Sequence, residues 1–117
     1  MRKIKILIID DEVDFCAIMK SYLQKTGYEV YLAYNIQDGL KLISEKSPDI
    51  LFIDNNLPDG HGWELADEII KNNPSIKLNL ISAFKQNTSA FLSVPNVKIW
   101  EKPISLASLQ ELFSPHV

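Results

Sequence analysis

The chain has 117 residues, 46% hydrophobic and 23% charged, with a formal net charge of −3. That is the length of one ordinary domain, with enough apolar material for a packed core and a composition unlike that of disordered chains. The negative balance and the lack of a basic stripe argue against direct contact with nucleic acid. One cysteine, Cys16, excludes an internal disulfide framework and points to a reducing compartment. The longest apolar run, Ile6 to Ile9, is far too short to span a bilayer, and no cleavage-site pattern follows Met1-Arg2-Lys3-Ile4-Lys5. A soluble cytoplasmic protein with no membrane role is expected.

In chain order, residues 4–9 form a continuous apolar run, the pattern of a strand covered on both faces of a parallel sheet. Phe15, Ile18, Met19, Tyr22 and Leu23 recur at helical spacing, Cys16 falls where that helix would bury it as a small hydrophobe, and Gly27 stops it. Residues 29–33 read as a second strand, and Asn35 as the N-cap of a helix carrying Ile36, Leu40 and Ile43. Residues 49–53 are a third, almost wholly apolar strand. A Pro/Gly turn over residues 58–62 precedes a helix with Leu65, Ala66, Ile69 and Ile70, which Asn73-Pro74 ends. Residues 76–81 are a fourth strand, with an unexplained Asn79 inside. Residues 86–93 make a short, polar helix of poor periodicity, and residues 97–100 a fifth strand. Ser105 then caps a last helix with Leu106, Leu109, Leu112 and Phe113.

Five strands alternating with five helices imply βαβ units, right-handed crossovers and one parallel sheet. A closed barrel needs about eight such units, so the expected fold is α/β, with an open, doubly wound five-stranded parallel sheet and residues 1–117 as one domain. In such sheets ligands bind beyond the carboxyl ends of the strands. Strand one ends in Asp10-Asp11-Glu12, strand three in Asp54, strand four in Ser82, and strand five runs into Lys102-Pro103. Each has an ordinary structural reading taken singly: helix-end charge, turn former, helix cap, solvated lysine. Together, all at one sheet edge, they make a crevice of carboxylates, a hydroxyl and an ammonium group.

Close carboxylates repel unless a cation lies among them. Only oxygen ligands are on offer, which suits a hard ion such as Mg²⁺ better than zinc. A carboxylate is a competent nucleophile toward phosphorus, and the serine and lysine could hold the phosphoryl oxygens.

These residues resemble the response regulator receiver family over essentially the whole chain. The resemblance rests on the strand–Asp10-Asp11–helix start, Asp54 with Pro58 and Gly62 four and eight positions later, Ser82-Ala83, and Lys102-Pro103, matching in order and spacing. It implies a flavodoxin-like sheet of strand order 2-1-3-4-5. It also implies that Asp54 is the phosphoacceptor, that Asp11, Asp54 and the backbone carbonyl of Asn56 bind Mg²⁺ directly, and that Asp10 binds it through water. Ser82 and Lys102 would contact the phosphoryl group. The donor would be a phosphohistidine on a sensor kinase or phosphotransfer protein, and the domain would catalyse only its own phosphorylation and dephosphorylation.

Some positions depart from the family pattern. Ile99 stands where an aromatic switch residue is common, with Trp100 beside it. Ser93-Val94-Pro95-Asn96 replaces the usual small-residue turn, and His61 reads as a loop residue. Asn56 could orient a water toward an aspartyl phosphate, whereas Phe84 would cover the same entrance. If Val117 ends the entire protein, no output domain follows, and a relay, a phosphate sink or a direct effector of an unidentified downstream protein is expected. A phosphatase with an aspartyl nucleophile is disfavoured, because Glu12 stands where Asp-x-Asp would place its second aspartate. A flavin-binding reading is disfavoured because strand one lacks a phosphate-cradling loop.

Overall fold

Strand β1 (Lys5–Ile9) shows why the sheet is internal. Ile6, Leu7, Ile8 and Ile9 are all buried, although successive side chains point to opposite faces. Both faces must therefore be covered. The computed structural model, which describes residues 2–83 and 97–113, covers them with helices. After β1 come α1 (Val13–Lys25), β2 (Glu29–Ala33), α2 (Ile36–Lys46), β3 (Ile50–Asp54), β4 (Asn56–Leu57) and β5 (Gly60–His61). A 3₁₀ turn (Gly62–Leu65), α3 (Ala66–Asn72), β6 (Lys77–Ser82), β7 (Val97–Glu101) and α4 (Leu106–Phe113) follow. The main sheet is parallel, in the order β2-β1-β3-β6-β7. Numbered among its own five strands, that is the flavodoxin-like order 2-1-3-4-5.

Two apolar clusters lie on the two faces. Leu7, Ile9, Leu51, Ile53, Leu78 and Leu80 pack with Ile43 of α2 and Ala66 and Ile69 of α3. Ile6, Ile8, Phe52, Ile81 and Trp100 pack with Cys16, Met19 and Leu23 of α1 and Leu109 of α4. Neighbouring strand residues divide strictly between the clusters, as a pleated sheet demands.

Caps and stops follow the sequence signals. Asn35 Oδ1 accepts from the Asp38 N–H at 2.7 Å, and Ser105 Oγ accepts from the Ser108 N–H at 3.0 Å. Gly27 follows α1 with φ +102°, a conformation that costs a glycine little.

Several expectations change. Ile4 is outside β1 and 45% exposed, while Ile18 and Leu40 are 61% and 43% exposed. The buried residues of α1 are Cys16, Met19 and Leu23, a narrower stripe than its apolar content suggests, because the sheet covers only one side of the helix. Strand β3 begins at Ile50 and includes Asp54. The turn at residues 58–62 closes a two-strand ribbon in which Asn56 pairs with His61, so His61 is strand rather than loop. The fourth helix expected at residues 86–93, Phe84 and the turn at 93–96 lie outside the described residues. Among those described, no helix is long and apolar enough to cross a membrane.

Candidate functional site

Sheet register builds the site. Ile9 pairs with Ile53, so Asp10 and Asp54 leave adjacent strands side by side. Asp54 pairs with Ile81, and Ser82 with Glu101, which sets Lys102 one step beyond Ser82. The Lys102 N–H donates to the Ser82 carbonyl at 2.8 Å and extends this connection past the strand end. Gly62 brings the following loop close: a Cβ there would collide with the Asp54 carbonyl oxygen.

Asp10 and Asp54 are buried and Asp11 is exposed. Each offers a carboxylate oxygen to a group whose members lie within 4.8 Å of one another. Lys102 Nζ lies 2.8 Å from Asp10 Oδ2 and 3.8 Å from Asp54 Oδ2. The Asp10 contact is an ion pair, and no hydrogen bond besides it reaches the fully buried Oδ2. Asp10 Oδ1 accepts from the Glu12 N–H at 2.9 Å.

The electrostatics follow from this crowding. Burial, then the Asp10 charge, pushes the Asp54 carboxyl up to about 6, against the pull of Lys102 and the Asn56 and Asn55 backbone N–H groups. Burial also raises Asp10, in spite of Lys102. For Lys102, burial acts to weaken the charged form, but the Asp10 and Glu12 carboxylates outweigh it and hold the ammonium above its ordinary value.

A hard divalent cation fits these residues. The buried Asp10 and Asp54 carboxylates share a single ammonium and favour further positive charge, and three carboxylates supply oxygen ligands. The neighbouring soft ligand is excluded: burial pushes the Cys16 thiol up to about 12, and its Sγ donates to the Asp10 carbonyl at 3.2 Å.

Asp10, Asp11, Asp54 and Lys102 are thus gathered at one spot. Ser82 is buried at the end of β6, and Asn56 is exposed two residues beyond Asp54. Ile99 is half-buried against the cluster on the α2 and α3 face, while Trp100 is buried in the opposite one.

Three contacts escaped the sequence reading. Glu12 Oε1 accepts from Lys102 Nζ at 2.7 Å, and the Phe15 ring centroid lies 4.9 Å from that nitrogen. The Trp63 indole donates to the Ile81 carbonyl at 3.2 Å, between β6 and the loop after Asp54. Glu12 lay within the conspicuous acidic run, but its partner is ninety residues away.

Fold and site together define an α/β domain of the receiver type. The chain belongs to the response regulator receiver domain family of two-component signalling, matching it over residues 6–114. It is 33% identical over 111 residues to the transcriptional regulatory protein ZraR of Salmonella typhimurium, covering 93% of this chain and 25% of that protein. It therefore spans about a quarter of the curated relatives it matches. A CheY-like receiver domain protein from Methanospirillum hungatei has a TM-score of 0.83 and 26% identity, with 95% of this chain and 90% of that one covered. Response regulator TrrA from Thermotoga maritima, solved in complex with Mg²⁺-BeF, has a TM-score of 0.77 and 29% identity, with 93% and 95% covered.

Proposed function

We propose that this chain accepts a phosphoryl group on Asp54, in the presence of Mg²⁺, from a phosphohistidine on a sensor kinase or phosphotransfer protein, and that the modified domain changes its binding to a downstream protein. The observation that carries this reading is the position of the Asp54 carboxylate, inside the three-carboxylate group and 3.8 Å from the Lys102 ammonium. An Asp54 oxygen forms the new P–O bond as the donor's P–N bond breaks, and the leaving imidazole retains or takes up a proton from solvent. With its carboxyl pushed up to about 6, Asp54 is still mostly anionic near neutrality and is available there as the nucleophile. Asp10, Asp11, Asp54 and the Asn56 backbone carbonyl are the candidate metal ligands. Mg²⁺, when bound, offsets the charge of the carboxylates and of the entering phosphoryl group. Lys102 and Ser82 are the groups assigned to the phosphoryl oxygens, where charge accumulates in a loose transition state. The relative solved with Mg²⁺-BeF supports the choice of metal and ligand class.

Intact mass after incubation with acetyl phosphate and Mg²⁺ tests the assignment. One phosphoryl group should add to the wild type and none to Asp54→Asn. Equal labelling of the variant would move the acceptor elsewhere.

A further inference from the structure

Lys102 is held mainly by the segment that joins β1 to α1. Its Nζ lies 2.8 Å from Asp10 Oδ2, 2.7 Å from Glu12 Oε1 and 4.9 Å from the Phe15 ring centroid, but 3.8 Å from Asp54 Oδ2. Two carboxylates and an aromatic face within six consecutive residues thus surround the ammonium. Glu12 is the unusual member. Its side chain is 59% exposed, so it could extend into water, yet it returns to a lysine that is only 9% exposed. It also stands outside the group of three carboxylates whose oxygens converge.

A divalent cation among Asp10, Asp11 and Asp54 changes the demand on these groups. Metal and ammonium would draw on the same Asp10 charge and repel each other at close range. Glu12 and the Phe15 ring remain for the ammonium, because neither belongs to the metal cluster.

We propose that Glu12 is a positioning residue: it seats the Lys102 ammonium against the β1–α1 segment and keeps it there when a divalent cation claims Asp10. The proposal rests on the reading of Asp54 and its carboxylate neighbours as a metal-assisted phosphoacceptor site. Without Glu12 the ammonium falls back on Asp10 and Asp54 and competes with the metal for them. Charge alone is insufficient, because the carboxylate must also reach Lys102.

Isothermal titration with Mg²⁺ separates these effects in wild type, Glu12→Gln and Glu12→Asp, each with Lys102 and again with Lys102→Met. Both Glu12 variants should bind Mg²⁺ about three- to fivefold more weakly than wild type, the scale of a partly exposed ion pair. Aspartate keeps the charge but is one methylene short. With Lys102→Met, the three residues at position 12 should give equal affinities, as expected when one side chain acts only through the other. Wild-type affinity in Glu12→Asp, or an undiminished effect of Glu12→Gln beside Lys102→Met, would show a general field effect and overturn the proposal. Wild type that binds Mg²⁺ with an affinity shared by all Glu12 variants overturns this proposal alone. Wild type that takes up no Mg²⁺ overturns the functional reading and this proposal with it.

Discussion

Asn79 is buried in the middle of β6, at a position where the strand pattern calls for an apolar side chain. Its Oδ1 accepts from the Trp100 indole N–H at 2.9 Å, and its Nδ2 faces the Leu51 carbonyl at 3.4 Å. Register explains the pair: Asn79 sits opposite Lys98, two residues before Trp100 on the neighbouring strand, and both polar atoms lie on the same face. The asparagine therefore lets a tryptophan be buried without stranding its donor. Asn79→Leu should cost about 1–3 kcal/mol, because it leaves a buried indole N–H unpaired. Adding Trp100→Phe should recover much of that loss. Urea denaturation of the two single variants and the double variant measures the coupling, and strictly additive losses would mean that the bond contributes little. Both residues are plain in the sequence, but nothing local in it announces that they meet.

Helix α2 gives the corresponding lesson for an element. The first turn of a helix has N–H groups with no partner inside it. Asn35 satisfies Asp38, as its position before an amphipathic segment suggested. The preceding two donors are met from elsewhere: Asp59 Oδ1 accepts from the Ile36 N–H at 2.8 Å and Oδ2 from the Gln37 N–H at 3.0 Å. Asp59 belongs to the turn between β4 and β5, so the loop that follows Asp54 is fastened to the start of α2. The Ile36 and Gln37 N–H groups hold the Asp59 carboxyl below its ordinary value. A lowered folded-state value stabilises the protein above the unfolded value and loses that contribution as pH falls through the lowered one. Asp59→Ala should lower the melting temperature at neutral pH, and Asp59→Asn should lower it less, since one oxygen still accepts. The gap between wild type and Asp59→Ala should narrow below about pH 4, where the wild-type carboxylate titrates. A gap that stays constant down to acid would exclude the charged cap.

For the whole molecule, the site works against the metal-free fold. Asp54 titrates at about 6 in the folded chain, above the ordinary carboxylate value of 3.8. The folded state then holds that proton more tightly than the unfolded chain does. Its contribution is most favourable below the unfolded value and declines as pH rises through the folded one. The span corresponds to a cost of about 3 kcal/mol near neutral pH. Asp54→Asn should therefore be more stable than wild type in chelator, with a gain that grows from about pH 4 to about pH 7. Saturating Mg²⁺ should raise the wild-type melting temperature and shrink the gain, because a ligand of the native state stabilises it by mass action. Melting curves of both proteins across that range, with chelator and with Mg²⁺, test the sign. Parallel curves in chelator would show that burial of Asp54 costs the fold nothing.

The alternation of apolar runs with amphipathic segments was enough to determine an open parallel sheet, because strands buried on both faces leave few other arrangements. The same pattern located Asp10, Asp11, Asp54, Ser82 and Lys102 at one edge, since parallel strands carry their carboxyl ends to one side. These features repeat a local rule along the chain and can be read one segment at a time. Tertiary structure alone decided which side chains meet across strands and loops. It brought Lys102 to Glu12 as well as to Asp10, Asp59 to the first turn of α2, and Asn79 to the Trp100 indole. It also left Ile18 and Leu40 outside the core, because the area a sheet can cover, rather than the number of apolar residues on a helix, sets how wide a stripe is buried. Each of these depends on distance and direction between segments far apart in sequence, which no periodicity encodes.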